Sequence, residues 1–154
     1  TPSGKAEEGH DINITESEFM DLVGVGIGEQ IKQVSLDLYK QARATMRKEG
    51  IILADTKFEF GLDKDGSLVL VDEILTPDSS RYWVGETYEV GKSPDSFDKQ
   101  FVRDYLLSIK WNKQPPAPAL PPEIIEKTRE KYEQIADIVE SLAYTTRRNP
   151  LRNT

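Results

Sequence analysis

The chain has 154 residues, 37% of them hydrophobic and 31% charged, which is enough for one soluble globular domain with a core. A net charge of -7 argues against nucleic acid as a partner, because binding a phosphate backbone needs a basic footprint, whereas a small anion needs only a local Lys/Arg cluster. The absence of cysteine excludes disulfides and thiolate chemistry and fits a cytoplasmic location, and no apolar run approaches the roughly 20 residues of a membrane helix.

Residues 1–14 are polar and read as loop, with Lys5, Glu7, His10 and Asp11 as a first cluster. A lone histidine is more often structural than catalytic, so residue types alone assign nothing there. Thr15-Glu16-Ser17-Glu18 fits a capping box and predicts a short helix after Thr15. The run Gly24-Val25-Gly26-Ile27-Gly28 interrupts it. These glycines do not match G-x-G-x-x-G and follow no strand, which favours a joint between helices over a phosphate loop. A second helix is predicted from about Glu29 to Lys48, with Ile31, Val34, Leu38, Ala42 and Met46 as its apolar stripe and Gly50 placed to end it.

Gly50 to Gly61 and Leu68 to Asp78 flank the turn signal Asp63-Lys64-Asp65-Gly66 and read as a β-hairpin. Period 2 places Ile52, Ala54, Phe58 and Phe60 on one face and Asp55, Lys57 and Glu59 on the other, while Asp72 shares a face with Leu68 and Leu70. A loop over residues 64–67 would set Glu59 across from Asp72. Like charges directly opposite are destabilising, and a divalent cation removes that penalty; Mg²⁺ typically takes one or two carboxylates plus substrate phosphates. The competing reading is a hydrated strand face with scattered acids, on which Asp55 and Lys57 form a local charge pair. Glu73 alternates to the other face and reads as structural.

Past Pro77, Asp78-Ser79-Ser80-Arg81 reads as a tight turn whose hydroxyls and arginine suit an anion, or else as a surface turn. Loop is expected onward to about Pro94, then a helix from near Ser96 to Ile109. Lys99 and Arg103, four apart on one face near its start, suit a phosphomonoester; the alternative is a solvated basic face paired with Asp95 or Asp98. Residues 114–122 read as an extended connector. A final helix is expected over Glu123 to Leu142, with Ile125, Thr128, Tyr132, Ile135, Val139 and Leu142 inward, and residues 145–154 as a frayed tail. Trp83 and Trp111 read as packing residues rather than base-stacking ones. There is no Ser/His/Asp or Cys/His set for covalent catalysis.

Four segments, in order, carry a family resemblance. ADTKFEFG (54–61), followed by VDEILTPDSSRYW (71–83), resembles the signature of phosphoribosylaminoimidazole-succinocarboxamide synthase, or SAICAR synthetase. Lys5 to Asp11 resembles the family's substrate loop, and Ser96 to Asp104 its late helix. The resemblance covers most of residues 1–142, taken as a catalytic lobe with residues 143–154 as a flexible tail. It begins where the middle of the enzyme is expected, after an N-terminal lobe with a glycine-rich nucleotide-covering loop. Without that lobe, residues 1–154 alone are expected not to turn over. Gly4 departs from the larger residue expected there.

The resemblance implies an α+β fold, an antiparallel sheet backed by helices, as the ATP-grasp-like larger lobe of the enzyme. It implies ATP-dependent joining of L-aspartate to the carboxylate of carboxyaminoimidazole ribonucleotide, through an acyl phosphate that the aspartate amine attacks. Glu59 and Asp72 would hold the Mg²⁺ of Mg-ATP. Asp55 near the imidazole or ribose, Lys57 near phosphates and Asp11 near the reacting carboxylate would be catalytic. Lys5, His10, Ser80, Arg81, Lys99 and Arg103 would bind substrate, with Arg81 on the imidazole nucleotide. The expected partners are ATP, L-aspartate and the ribonucleotide, with no nucleic acid and no membrane; a homo-oligomer stays open. The rival readings are another ATP-dependent carboxylate–amine ligase, disfavoured by the PDSSR turn and the Lys99/Arg103 pair, and a non-catalytic fragment or interaction module.

Overall fold

The computed structural model describes residues 1–4 and 12–148, with residues 143–148 as helix backbone only. Ser3–Gly4 (β1) pairs antiparallel with Ile12–Asn13 (β2). The capping box then starts Glu16–Val23 (α1): Thr15 Oγ1 accepts from the Glu18 N–H at 3.2 Å, and the Glu18 carboxylate accepts from the Thr15 N–H at 2.8 Å. Gly24 ends α1 at φ 82°, a left-handed conformation that glycine adopts without steric cost. Val25–Arg47 (α2) follows at once, ahead of the start expected at Glu29, so Gly26 and Gly28 lie inside a helix. A Cβ on Gly28 would collide with the Met20 sulfur and lie 3.5 Å from the Phe19 ring. The glycine run thus lets α1 fold back onto α2, a fold-back that Lys32 and Glu16 tie with an ion pair at 2.5 Å.

Ile51–Thr56 (β3), Glu59–Leu62 (β4), Leu68–Val71 (β5) and Ser80–Val84 (β6) come next, then Gln100–Ser108 (α3) and Pro122–Arg148 (α4). The class is the expected α+β with antiparallel pairing among the described residues, but the hairpin is shorter than predicted. β4 and β5 pair alone, with Glu59 opposite Val71 and Leu62 opposite Leu68. Their loop spans Asp63 to Ser67, because Asp63 N–H donates to the Ser67 carbonyl at 3.0 Å and Asp63 Oδ1 accepts from the Asp65 and Ser67 N–H groups at 2.9 and 2.8 Å. This loop is one residue longer than expected, and a one-residue slip moves every partner, so Asp72 does not face Glu59.

β3 leaves that hairpin and pairs with β6, a strand where loop was expected. Its buried residues are Ile51 and Leu53, not Ile52 and Ala54 as simple alternation along a longer hairpin predicts.

Two compact units divide the chain: Thr1–Gln41 with Phe58–Asp72, and Ala42–Lys57 with Glu73–Thr154. In the first, the Phe58 and Phe60 rings meet edge to face at 6.5 Å, and Ile27, Val34, Phe60, Leu68 and Leu70 line an open cavity of about 590 Å³. The second unit holds the buried apolar core: Met46, Ile51, Leu53, Tyr82, Phe97 and Ile135. There the Gly85 N–H donates to the Gly50 carbonyl at 2.8 Å, and a Cβ on Gly85 would stand 2.5 Å from that oxygen.

α3 begins at Gln100 because the residues before it are held by β6: Ser96 bridges Trp83, and the Phe97 N–H donates to the Tyr82 carbonyl at 2.9 Å. Lys99 is therefore the N-cap residue, one position ahead of the helix, and its carbonyl accepts from the Arg103 N–H at 3.1 Å. α4 runs to Arg148, through the first part of the expected tail; residues 149–154 lie outside the described residues. Thr128, Tyr132, Ile135 and Leu142 lie inward as expected, while Ile125 and Val139 are 52% and 46% exposed and their neighbours Ile124 and Ile138 take the inner positions. Lys127 lies over the Phe101 ring of α3 at 5.8 Å and Lys131 over the Phe97 ring just before it at 5.4 Å, cation–π contacts that seat α4 on this segment. Trp83 stacks on Tyr88 at 5.5 Å, in keeping with a packing role.

Candidate active site

The β3–β6 ladder advances by two residues on β3 and one on β6 between Leu53↔Tyr82 and Asp55↔Arg81. Ala54 is the extra residue of a β-bulge, a device that re-aims neighbouring side chains. Here it sets Asp55 directly opposite Arg81. Arg81 Nε donates to both carboxylate oxygens, at 2.9 and 3.0 Å, and Nη2 donates to Oδ2. The Arg81 hydrogen bonds hold the Asp55 carboxyl below its ordinary range, and Asp55 in turn raises Arg81. Both side chains are about half exposed, and the Arg81 Nη1 amino group stays outside the pair.

The segment entering β6 is bound down tightly. Ser79 and Thr76 close a turn, with the Ser79 N–H donating to the Thr76 carbonyl at 3.1 Å and the Thr76 N–H to Ser79 Oγ at 3.1 Å. Leu75 sits at φ 58°, an unfavourable region for leucine, and its carbonyl accepts from the buried Tyr82 hydroxyl at 2.6 Å. Ser80 is buried, with its Oγ 2.8 Å from Thr56 Oγ1. The Lys57 N–H donates to the Ser79 carbonyl at 2.9 Å, fixing the backbone under the exposed Lys57 side chain.

Two more cations meet carboxylates in the same unit. Asp78 Oδ1 accepts from Lys99 Nζ at 2.9 Å and from the Tyr132 hydroxyl at 3.0 Å. These bonds, Lys99 first and Tyr132 second, lower the Asp78 carboxyl; burial, then the bond to Asp78, pushes the Tyr132 phenol up to about 12. Arg103 Nη1 donates to Asp98 Oδ1 at 3.0 Å. The pairs also act on one another: Arg103 lowers Asp55, and Asp98 raises Arg81.

The second unit thus gathers Asp55, Lys57, Ser80, Arg81, Lys99 and Arg103, together with Asp78, Asp98 and Tyr132, none of which sequence reasoning gave a role in the site. Tyr132 had left a signal, a phenol in an apolar stripe, whose polar tip needs a partner when buried. Asp98 had left one too, as a candidate partner for the Lys99/Arg103 face, and it pairs with Arg103; Asp78 had none beyond its place in the PDSSR turn. Glu59 and Asp72 lie in the first unit, on the β4–β5 hairpin. Lys5, Glu7, His10 and Asp11 lie outside the described residues.

Against known proteins, the family model described as SAICAR synthetase matches residues 1–118. The chain belongs to the SAICAR synthetase family. It is 55% identical over 141 residues to a phosphoribosylaminoimidazole-succinocarboxamide synthase of Thermodesulfovibrio yellowstonii, covering 92% of this chain and 48% of that protein. The SAICAR synthase of Saccharomyces cerevisiae complexed with SAICAR superposes with a TM-score of 0.70 at 45% identity, over 79% of this chain and 41% of that one. A type-2 SAICAR synthetase in complex with ADP superposes at 0.54 with 28% identity, over 82% of this chain and 43% of that one. The chain spans about half the length of the relatives it matches.

For a SAICAR synthetase chain the implied metal is Mg²⁺ carried by ATP. Among the described residues no group of three or more acidic, His or Cys side chains could hold a metal by itself. Glu59 on β4 stands opposite Val71, the residue before Asp72, and Asp72 leaves the strand at φ 65°. Two hard-oxygen donors on one hairpin fit a cation that takes its remaining ligands from phosphate and water.

Proposed function

We propose that this chain supplies the substrate-nucleotide site and the metal-binding hairpin of an ATP-dependent ligase. The enzyme joins L-aspartate to the carboxylate of carboxyaminoimidazole ribonucleotide, forming SAICAR in purine biosynthesis, and works in the cytoplasm. The observation that carries the reading is the set of three cations, Arg81, Lys99 and Arg103, each held by a carboxylate of one unit. Side chains fixed before the ligand arrives lose less freedom on binding, and fixed charges are what a reaction among anionic partners requires.

The roles are those the family resemblance implies, and the ion pairs of the second unit support them. Arg81, clamped by Asp55, turns its outer amino group to the imidazole nucleotide; Ser80 shapes the backbone beside it. Asp55 orients Arg81 and accepts from the imidazole or ribose. Lys99 and Arg103 take the phosphomonoester. Lys57 lies with the phosphates of ATP, whose metal Glu59 and Asp72 hold. Lys5, His10 and Asp11 belong to the substrate loop, with Asp11 near the reacting carboxylate. ATP supplies the phosphoryl group that activates that carboxylate for the aspartate amine. Alignment of the reactants contributes a large share of such a rate, and small misplacements cost on the order of 10²-fold.

The test is an ADP-release assay on the whole protein, with SAICAR identified by mass spectrometry. Release that needs both L-aspartate and the ribonucleotide is expected. Release with aspartate and a different carboxylate, but not with the ribonucleotide, would replace this reading by that of another carboxylate–amine ligase.

A further inference from the structure

Asp98 is 1% exposed. Its Oδ1 accepts from Arg103 Nη1 at 3.0 Å and from Ser96 Oγ at 3.2 Å. Its Oδ2 is buried and has no hydrogen-bond partner among the described residues. An unpaired buried carboxylate oxygen is costly, and folded proteins hold few of them. The ordinary structural roles do not account for it. Asp98 precedes the N-cap Lys99, and no side chain caps α3. The neighbouring ladder is completed by Ser96 and Phe97, not by Asp98. What the carboxylate does have is an arginine. Arg103 is 41% exposed on a long flexible stem, and its charge reaches Asp55, as the charge of Asp98 reaches Arg81. A buried anion at the root of a half-exposed guanidinium fixes its direction and leaves its outer face to a ligand.

We propose that Asp98 is a positioning residue: its buried carboxylate, steadied by Ser96, holds the Arg103 guanidinium in the orientation that meets the phosphomonoester of the nucleotide substrate. The inference rests on the function proposed above. A side chain that acts through Arg103 loses its effect when Arg103 is gone, whereas one that merely supports the fold does not.

The experiment is a double-mutant cycle on the whole protein, with affinity for carboxyaminoimidazole ribonucleotide and, separately, Mg-ADP measured by titration calorimetry. Asp98→Asn is expected to weaken the ribonucleotide about tenfold, as loss of a charge-assisted bond does, and to leave Mg-ADP unchanged. Arg103→Ala is expected to weaken it at least as much, and the double variant to be no weaker than Arg103→Ala alone. Equal losses for both ligands, or a further loss in the Arg103→Ala background, would overturn the inference while leaving the proposed function standing. An unchanged ribonucleotide affinity in Arg103→Ala would remove the proposed role of Arg103 and this inference together. If Asp98→Asn does not fold, Ser96→Ala carries the same cycle: a loss of roughly threefold, absent without Arg103, supports positioning; no loss at all, or the same loss without Arg103, overturns it.

Discussion

Asp55 and Arg81 show how much a single pairing decides. The family resemblance assigns one to catalysis and the other to substrate, yet the two form one bidentate unit, and each sets the other's orientation. Because the Arg81 bonds depress the Asp55 carboxyl, the pair adds stability above the unfolded carboxylate value, near pH 4, and loses it as pH falls through the lower folded value. Half-exposed pairs are worth no more than about 1 kcal/mol. Asp55→Asn should therefore flatten acid unfolding only slightly in circular dichroism, while its apparent Michaelis constant for the ribonucleotide rises about tenfold. Steeply reduced stability at neutral pH would make the pair structural. Tyr132 carries the opposite sign. Its raised phenol contributes stability below the unfolded tyrosine value near 10, and loses it as pH rises toward about 12. Alkaline unfolding of Tyr132→Phe should lack that component; identical profiles for both proteins would refute the raised phenol. On the β4–β5 hairpin, if Glu59 and Asp72 hold the metal as proposed, Glu59→Gln and Asp72→Asn should each weaken Mg-ADP binding with thermal unfolding unchanged. Unaltered Mg-ADP affinity in both would end their assignment as metal ligands.

Among elements, local signals were legible and partner choice was not. The Thr15/Glu18 capping box, the 3.6-residue stripe of α2 and the Asp63–Gly66 turn are encoded within a few residues, and each produced its element. β3 takes a different neighbour from the one its sequence predicts because pairing is non-local: residues 51–56 join residues 80–84, past a complete hairpin. The Ala54 bulge has no marker in an Ile-Ile-Leu-Ala-Asp run, so Asp55 facing Arg81 could not be read from periodicity. The α3 start failed for a similar reason. Ser96 and Phe97 are taken up by β6, and tertiary pairing overrides helix propensity there. The strand edge itself yields a test. Gly85 packs its backbone against the Gly50 carbonyl, which cannot swing aside as a side chain can. Gly85→Ala should lower stability by about 1–3 kcal/mol in urea unfolding, as overpacking does. A neutral result would mean that the two backbones part freely.

At the scale of the molecule, the proposed metal ligands and the proposed substrate-binding cations fall in different units. The hairpin acids Glu59 and Asp72 belong to the first unit, and the carboxylate-held cations Arg81, Lys99 and Arg103 to the second. Sequence motifs singled out these residues, and Asp98 was legible as a nearby partner for the basic face, whereas the Asp78–Tyr132 bond joins residues 54 apart and emerged only from the fold. The central claim is that the second unit's cations bind the substrate nucleotide and not ATP. The most direct measurement is calorimetric titration of the whole protein and its Arg81→Ala variant with carboxyaminoimidazole ribonucleotide and with Mg-ADP in turn. The account predicts that ribonucleotide affinity falls at least about tenfold while Mg-ADP affinity holds, as expected for loss of a charge-assisted arginine contact. A fall confined to Mg-ADP, with the ribonucleotide unaffected, would contradict it.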